Sequence, residues 1–267
     1  MSHRRNLANG SAVFAILTVA RMTFIEARRN RILWSIVFFC LVTVFSSFLF
    51  QELSVGAYDR VLRDAGIGAL SIFATFLSMF LGAAVVSREM ERRTLHATLC
   101  KPITRTQYLV GKILGVWITQ AICVSLMFVA LLLECLMYKT EIDAVLFQAV
   151  WLVLVEQLVV ASFAVLGSTF LPTATSTFMT VSMYFAGHMS SNVLALVRKS
   201  KSELAQLTAK VVFLVLPDLE RFNLKGQVAH MDQVAASVVA WATLLGAAYA
   251  VAFTLVASVI LQRRDLR

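Results

Sequence analysis

Charge is what this chain has least of. Only 15% of its 267 residues are charged and 59% are hydrophobic, whereas a soluble domain carries about 25% charged residues. Mean hydropathy is +0.80. Proline (3) and glycine (11) are also scarce, so few helix breakers interrupt the apolar runs. The four cysteines, Cys40, Cys100, Cys123 and Cys135, form no CxxC pair and no metal-finger spacing. They imply no disulfide framework, and Cys40 and Cys123 read as small apolar residues inside helices. Nucleotide-binding signatures are missing as well. Gly111-Lys112 lacks both the upstream glycine and the following Ser/Thr of a phosphate-binding loop, so no ATP or Mg site is expected in this chain. HExxH, GxSxG and paired intramembrane aspartates are absent, which speaks against an intramembrane enzyme. A cleavable signal is not expected either. Arg4 and Arg5 are basic, but the next long apolar run begins at Ile32, directly behind Arg28, Arg29 and Arg31, and is read as a retained span.

What the chain has is six long apolar segments: Ile32–Phe50, Gly66–Ser87, Val110–Tyr138, Val145–Leu171, Thr173–Val197 and Val234–Leu261. A bilayer core of about 30 Å needs roughly 20 such residues in a helix. The fold expected is therefore all-α and polytopic, with six transmembrane helices spanning residues 32–267 and a separate N-terminal stretch, 1–31. Lysine and arginine set the orientation. With the N-terminus inside, the inner segments carry a net +11 and the outer ones are neutral, so both termini are expected on the cytoplasmic side. The pI near 9.8 is then explained by helix flanks facing anionic lipid headgroups. Nucleic acid is not an expected partner.

Three segments are neither spans nor simple turns. In Ser11–Asn30, Val13, Phe14, Ile16, Leu17, Ala20, Phe24 and Ala27 recur at helical spacing. Arg21 and Arg28 flank that stripe, where they can snorkel. Such a basic amphipathic helix lies in the membrane interface. Met22 and Ile25 interrupt its polar face, which a partner packing from the cytoplasmic side would explain. The Arg198–Gln233 segment lies outside. Pro217 stops a helix there, and Leu219 and Phe222 are placed to fold back onto the bundle rim.

The third segment, Arg88–Lys112, joins the second and third spans. A connecting loop needs about four residues, and this one exceeds twenty. It extends the second helix with charge, makes a turn of helix around Leu95 and Leu99, breaks at Pro102 and restarts with Thr104 as cap. Long loops of defined chemistry serve a purpose, and docking onto a cytoplasmic partner is the natural one. The run Glu89, Thr94-Leu95, Leu99, Lys101-Pro102-Ile103-Thr104-Arg105, Tyr108 and Gly111-Lys112 resembles the ABC-2 type permeases. Leu216-Pro217-Asp218-Leu219-Glu220-Arg221-Phe222-Asn223-Leu224 and the ending Gln262-Arg263-Arg264-Asp265-Leu266 are similar to the branch linked to multicopper-enzyme maturation, sodium efflux and gliding motility. The motifs cover about forty residues, while the topology covers the whole chain. Arg93 stands where that family commonly has glycine.

The resemblance implies a type V exporter-like bundle in the bacterial inner membrane. It also implies a dimer with a second permease copy, identical or closely related, and two copies of an ATPase subunit that bring ATP and Mg. The amphipathic helix (with Arg21 and Arg28) and a coupling loop at 88–109 would form the ATPase docking surface, through Arg88, Glu89, Thr94, Leu95, Leu99, Lys101, Pro102, Thr104 and Arg105. Some such assemblies act mechanically on periplasmic proteins, and segment 198–233 offers a contact for one.

Within the spans, Glu156 and Gln157 lie near the middle of the fourth. An ionisable group at that depth costs a few kcal/mol and faces the bundle interior. It either lines a translocation path or makes an interhelical hydrogen bond. His188 and Asn192 on the fifth span join them as path candidates. Met179 and Met183 share a face, but His188 and Met189 fall off it, against a copper site. Glu156 also admits a competing function, a secondary transporter driven by an ion gradient, although no inverted repeat or broken helix pair accompanies it.

Overall fold

Every apolar segment of the sequence lies on a helix in the computed structural model, which describes residues 2–29, 33–53, 58–91, 104–140, 142–199, 217–223 and 235–263. The helices are α1 (Ser2–Arg29), α2 (Leu33–Leu53), α3 (Tyr58–Glu91), α4 (Arg105–Met137), α5 (Ala144–Ser168), α6 (Thr173–Lys199) and α7 (Ala236–Arg263). A short 3-10 turn, Leu219–Phe222, precedes α7. No strand occurs among the described residues.

The centre of the bundle is α5, which packs on α3, α4, α6 and α7. Its sequence is apolar on every side, the composition of a helix that neighbours surround. Its polar residues at mid-helix, Glu156 and Gln157, are 2% and 0% exposed. The outer helices behave differently. On α4, Ile118, Ile122, Leu126, Val129, Leu133 and Leu136 form one exposed apolar stripe, and on α7 Trp241, Leu244, Val251 and Leu255 do the same. Surfaces of this kind suit hydrocarbon, not water.

Among the described residues, four helices are long and apolar enough to cross a membrane: Val61–Glu91, Arg105–Met137, Ala144–Ser168 and Ala236–Arg263. The described apolar stretch of α2, Ile36–Phe45, is shorter. Serines, threonines and His188 keep α6 outside that set. The chain is therefore an all-helical polytopic bundle with four candidate spans plus further apolar helices.

Two boundaries differ from the sequence reading. The second apolar segment was expected to start at Gly66, but α3 begins at Tyr58. Arg63, counted there as a flanking charge, is 1% exposed and faces Asp143 before α5, NH1 to Oδ2 3.9 Å. A charge pair thus ties α3 to the start of α5. The N-terminal helix also starts earlier than Ser11, at Ser2.

Candidate functional site

Residues 92–103, between α3 and α4, lie outside the described residues. Thr94, Leu95, Leu99, Lys101 and Pro102 fall there. Both stems of this loop are described, and each is fastened to several helices at once.

On the α4 side, Thr104 is the N-cap. Its hydroxyl accepts from Gln107 N at 3.2 Å, and the Gln107 side chain accepts from Thr104 N at 3.1 Å. This is a capping box, which satisfies two otherwise orphan backbone donors and fixes where α4 begins. Next in line, Arg105 NH1 donates to the carbonyls of Leu261 and Gln262, at 3.1 and 3.2 Å. A guanidinium on the last carbonyls of α7 complements the negative end of that helix. Gln262 Nε2 donates to Thr106 Oγ1 at 2.8 Å, a second tie between the same helix ends.

On the α3 side, two acidic residues do the fastening. Glu89 accepts from the Tyr108 hydroxyl at 2.6 Å and pairs with Lys112. Lys112 is 4% exposed and also lies 3.7 Å from Glu26 of α1. Its ammonium stands 5.7 Å from the Tyr108 ring centroid, within cation–π range. Glu91, about half a turn on, accepts from Thr173 N and Oγ1 at 3.0 and 3.2 Å. A carboxylate at the N-terminus of α6 meets both its free donors and its dipole.

The helix α1 reaches this junction through small residues. A Cβ at Gly111 would sit 2.7 Å from Val19 Cβ and 2.9 Å from the Ile16 carbonyl. At Gly115 it would sit 2.6 Å from Thr23 Cβ and 2.7 Å from the Ala20 carbonyl. Two glycines four apart let the backbones of α1 and α4 meet, as small residues do between membrane helices. The stripe expected on α1 is consequently split. Val19, Ala20, Thr23 and Ala27 are buried, whereas Val13, Phe14 and Leu17 are 57%, 73% and 57% exposed. Fit to the two glycines selects the buried face, and small side chains outcompete larger apolar ones for it. Met22 and Ile25 are exposed, at 56% and 44%, and so are Arg21 and Arg28.

Of the docking residues proposed from sequence, the structure therefore brings Glu89, Thr104 and Arg105 together with α1, α6 and α7. Arg88 is half-buried on the last turn of α3. Lys112, Tyr108, Glu26 and Glu91 complete the junction. Sequence reading quoted Tyr108 and Lys112 only as motif positions and Glu91 only as a charge. The available signal was Lys112 itself, a lone cation seven residues into an apolar helix with acids on both flanking elements.

A second polar set lies deeper. Gln157 Nε2 donates to Thr75 Oγ1 at 3.0 Å, and Gln120 Nε2 donates to the Ala74 carbonyl at 2.9 Å. The Oε1 atoms of both glutamines are buried with no hydrogen-bond partner. Glu156 is paired across helices, its Oε1 3.0 Å from His188 Nε2. His188 Nδ1 lies 3.1 Å from Glu220 Oε2 on the 3-10 turn. Asn192 lies on α6, but its side chain is outside the described set. Glu220 was quoted from sequence only as part of a motif, since nothing local announces a partner 32 residues away.

An all-helical bundle with lipid-compatible outer faces, a fastened long loop and buried polar groups suits membrane transport. No match was found among curated proteins. The model of the family described as "ABC-2 family transporter protein" matches residues 17–266, nearly the whole chain including both loop stems and the 3-10 turn. The chain belongs to the ABC-2 family of transporter proteins.

Proposed function

We propose that this chain is the permease subunit of an ABC transporter, moved by a separate ATPase subunit that docks on α1 and on loop 88–109. The observation that carries the reading is the junction at Lys112. One buried cation holds α3, α4 and α1, and the neighbouring Arg105 and Glu91 hold α7 and α6. A push on either stem reaches five helices through direct side-chain contacts. That is the arrangement a mechanical input requires, because packed elements switch between discrete arrangements and do not deform continuously.

In this reading, six helices cross a bacterial inner membrane, with the loop and both termini in the cytoplasm. Two permease copies, identical or closely related, associate through exposed apolar faces, and each receives one ATPase subunit. The exposed Arg21, Arg28, Met22 and Ile25 face that subunit, together with Arg88 and the loop residues Thr94, Leu95, Leu99, Lys101 and Pro102. ATP and Mg belong to the partner. The buried line of Gln120, Gln157, Glu156 and His188, with Asn192 beyond it, lies along the translocation path. Their two unpartnered carbonyl oxygens support this, since buried acceptors in a static core are satisfied and these have room for a different partner in another state. Segment 198–233 faces the periplasm, where a periplasmic protein can reach it.

Charge reversal at Arg21 and Arg28 tests the docking surface without touching the junction. The R21E/R28E variant is expected to insert and fold normally but to lose most of its co-purifying ATPase activity from native membranes. Undiminished co-purification of an ATP-hydrolysing subunit would sink the docking assignment.

A further inference from the structure

The 3-10 turn and its flanks, residues 217–223, form a strap that sinks into the bundle. Leu219 and Phe222 are both fully buried and join the core cluster of Val155 and Met183. The strap crosses α6 where a side chain would not fit: a Cβ at Gly187 would lie 2.8 Å from Leu219 Cγ and 2.9 Å from the Pro217 carbonyl. Glu156, its polar contact through His188, stands twelve residues into α5, about 18 Å along the helix at 1.5 Å per residue. Non-helical backbone at that depth is tolerated only inside protein or beside a hydrated cavity.

His188 fastens the strap by polar contact. Its two ring nitrogens face two different carboxylates, Glu156 at 3.0 Å and Glu220 at 3.1 Å. Each contact needs one proton between nitrogen and oxygen, because two lone pairs repel. A neutral imidazole carries one N–H, whereas the imidazolium carries two. The closed geometry therefore holds two protons. Either the ring is an imidazolium between two carboxylates, or it is neutral and one carboxyl is protonated. Both arrangements contain one proton more than a neutral ring between two ionised acids.

We infer that Glu156, His188 and Glu220 form a proton-binding site whose second proton holds the strap against α6 and α5. The asymmetry of burial decides what happens when that proton leaves. The Glu156 side chain is 3% exposed and that of Glu220 is 44% exposed. The remaining N–H stays on Glu156, where an unmet carboxylate costs most. Glu220 is left against a ring lone pair and turns to solvent, taking its end of the strap with it. Among the described residues, the surroundings offer no unpaired substitute cation. Among the described residues the strap contributes Arg221, already paired with Asp218 at 2.9 Å, and Asn223, whose amide donates to Glu220 Oε1 at 3.0 Å. The α6 neighbour is Tyr184, its ring edge-on to the histidine at 4.5 Å. Facing α5 supplies Glu156, and Thr75 of α3 meets the adjoining Gln157. The proton enters from the Glu220 side, the exposed end of the site.

The inference goes beyond the permease assignment and is tested without an ATPase. Hydrogen–deuterium exchange of amides 218–223 is followed by mass spectrometry on the full chain in lipid nanodiscs, from about pH 5 to pH 9, each rate divided by its intrinsic chemical rate. Protection in the native protein is expected to fall about tenfold or more as pH rises, the loss of one charge-assisted hydrogen bond. In Glu220→Gln, the carboxamide donates to a neutral Nδ1, so protection stays high across the range and its pH dependence disappears. In His188→Phe, protection is low throughout. Flat protection in the native protein overturns the inference, and so does a Glu220→Gln variant that keeps the native pH dependence. The second outcome decides even if His188→Phe fails to fold.

Discussion

Replacing Lys112 by methionine removes the cation at the centre of the α1–α3–α4 junction while keeping a side chain of similar length. Lys112 is 4% exposed, and its closest partner, the Glu89 side chain, is 17% exposed. Breaking a buried pair by removing one member costs roughly 3–5 kcal/mol, because the surviving charge is left uncompensated. Glu89 keeps the Tyr108 hydroxyl at 2.6 Å, which places the loss at the lower end, about 3 kcal/mol. The Glu26 pair is a different case. Its carboxylate side chain is 53% exposed and 3.7 Å away, so Glu26→Gln costs no more than about 0.5 kcal/mol. The assay is reversible unfolding in mixed micelles with a double-mutant cycle. Lys112→Met and Glu89→Gln are each expected to destabilise, and the pair together to lose at least about 1.5 kcal/mol less than their sum. Simple additivity would refute the view that one buried ion pair joins these helices. Equal losses from Glu26→Gln and Glu89→Gln would refute the ranking by burial.

Gly115→Ala places a methyl 2.6 Å from Thr23 Cβ and 2.7 Å from the Ala20 carbonyl. Overpacking costs about 1–3 kcal/mol, and cysteine cross-linking between α1 and α4 should slow in the variant. Glu91→Ala removes the oxygen that accepts both hydrogen bonds from Thr173 at the start of α6 and should cost about 1 kcal/mol, the usual effect of a lost N-cap, read by unfolding in the same micelles. Phe222→Ala empties a fully buried site and should cost about 3–5 kcal/mol, with exchange of residues 217–223 accelerated more than that of α5.

The helices were legible because each apolar run is long, and the N-cap at Thr104 was legible because its capping partner sits three residues away. Local chemistry of this kind survives without knowledge of the fold. The return of Leu219 and Phe222 to the bundle was also readable, since Pro217 ends one element and two large apolar residues follow. The count of six spans was less secure in physical terms. On α6, Ser176 and His188 serve interhelical contacts and Thr180 bonds back to its own helix, and such polar residues dilute the hydropathy that would mark a span. The contact of α1 with Gly111 and Gly115 was not legible, because periodicity ranks faces by hydrophobicity while the two glycines rank them by size. Arg63 was placed on a flank because its partner Asp143 lies 80 residues away, and no local pattern reveals it. The pairing of Glu156 with His188, and of His188 with Glu220, is likewise a matter of three segments meeting. Sequence identified two of the three residues as unusual and left open what they do.

The helix α6 makes polar contacts both at the loop junction and at the strap. Its first residue, Thr173, is held by Glu91 beside the loop, and fifteen residues later His188 is held between Glu156 and the strap. The separation is about 22 Å along an unbroken helix. Two substitutions that far apart with no shared partner normally add within about 0.5 kcal/mol. If α6 moves as a rigid rod between two seatings, loosening one end changes the cost of loosening the other. The measurement is a cycle of Glu91→Ala and Glu220→Gln, read as exchange at residues 217–223 and not as global stability. Non-additivity larger than about 0.5 kcal/mol is expected at the strap, whereas Glu26→Gln in place of Glu91→Ala should show none, since Glu26 does not touch α6. Equal coupling from Glu26→Gln would mean that the junction transmits through the whole bundle, and α6 would lose its special place.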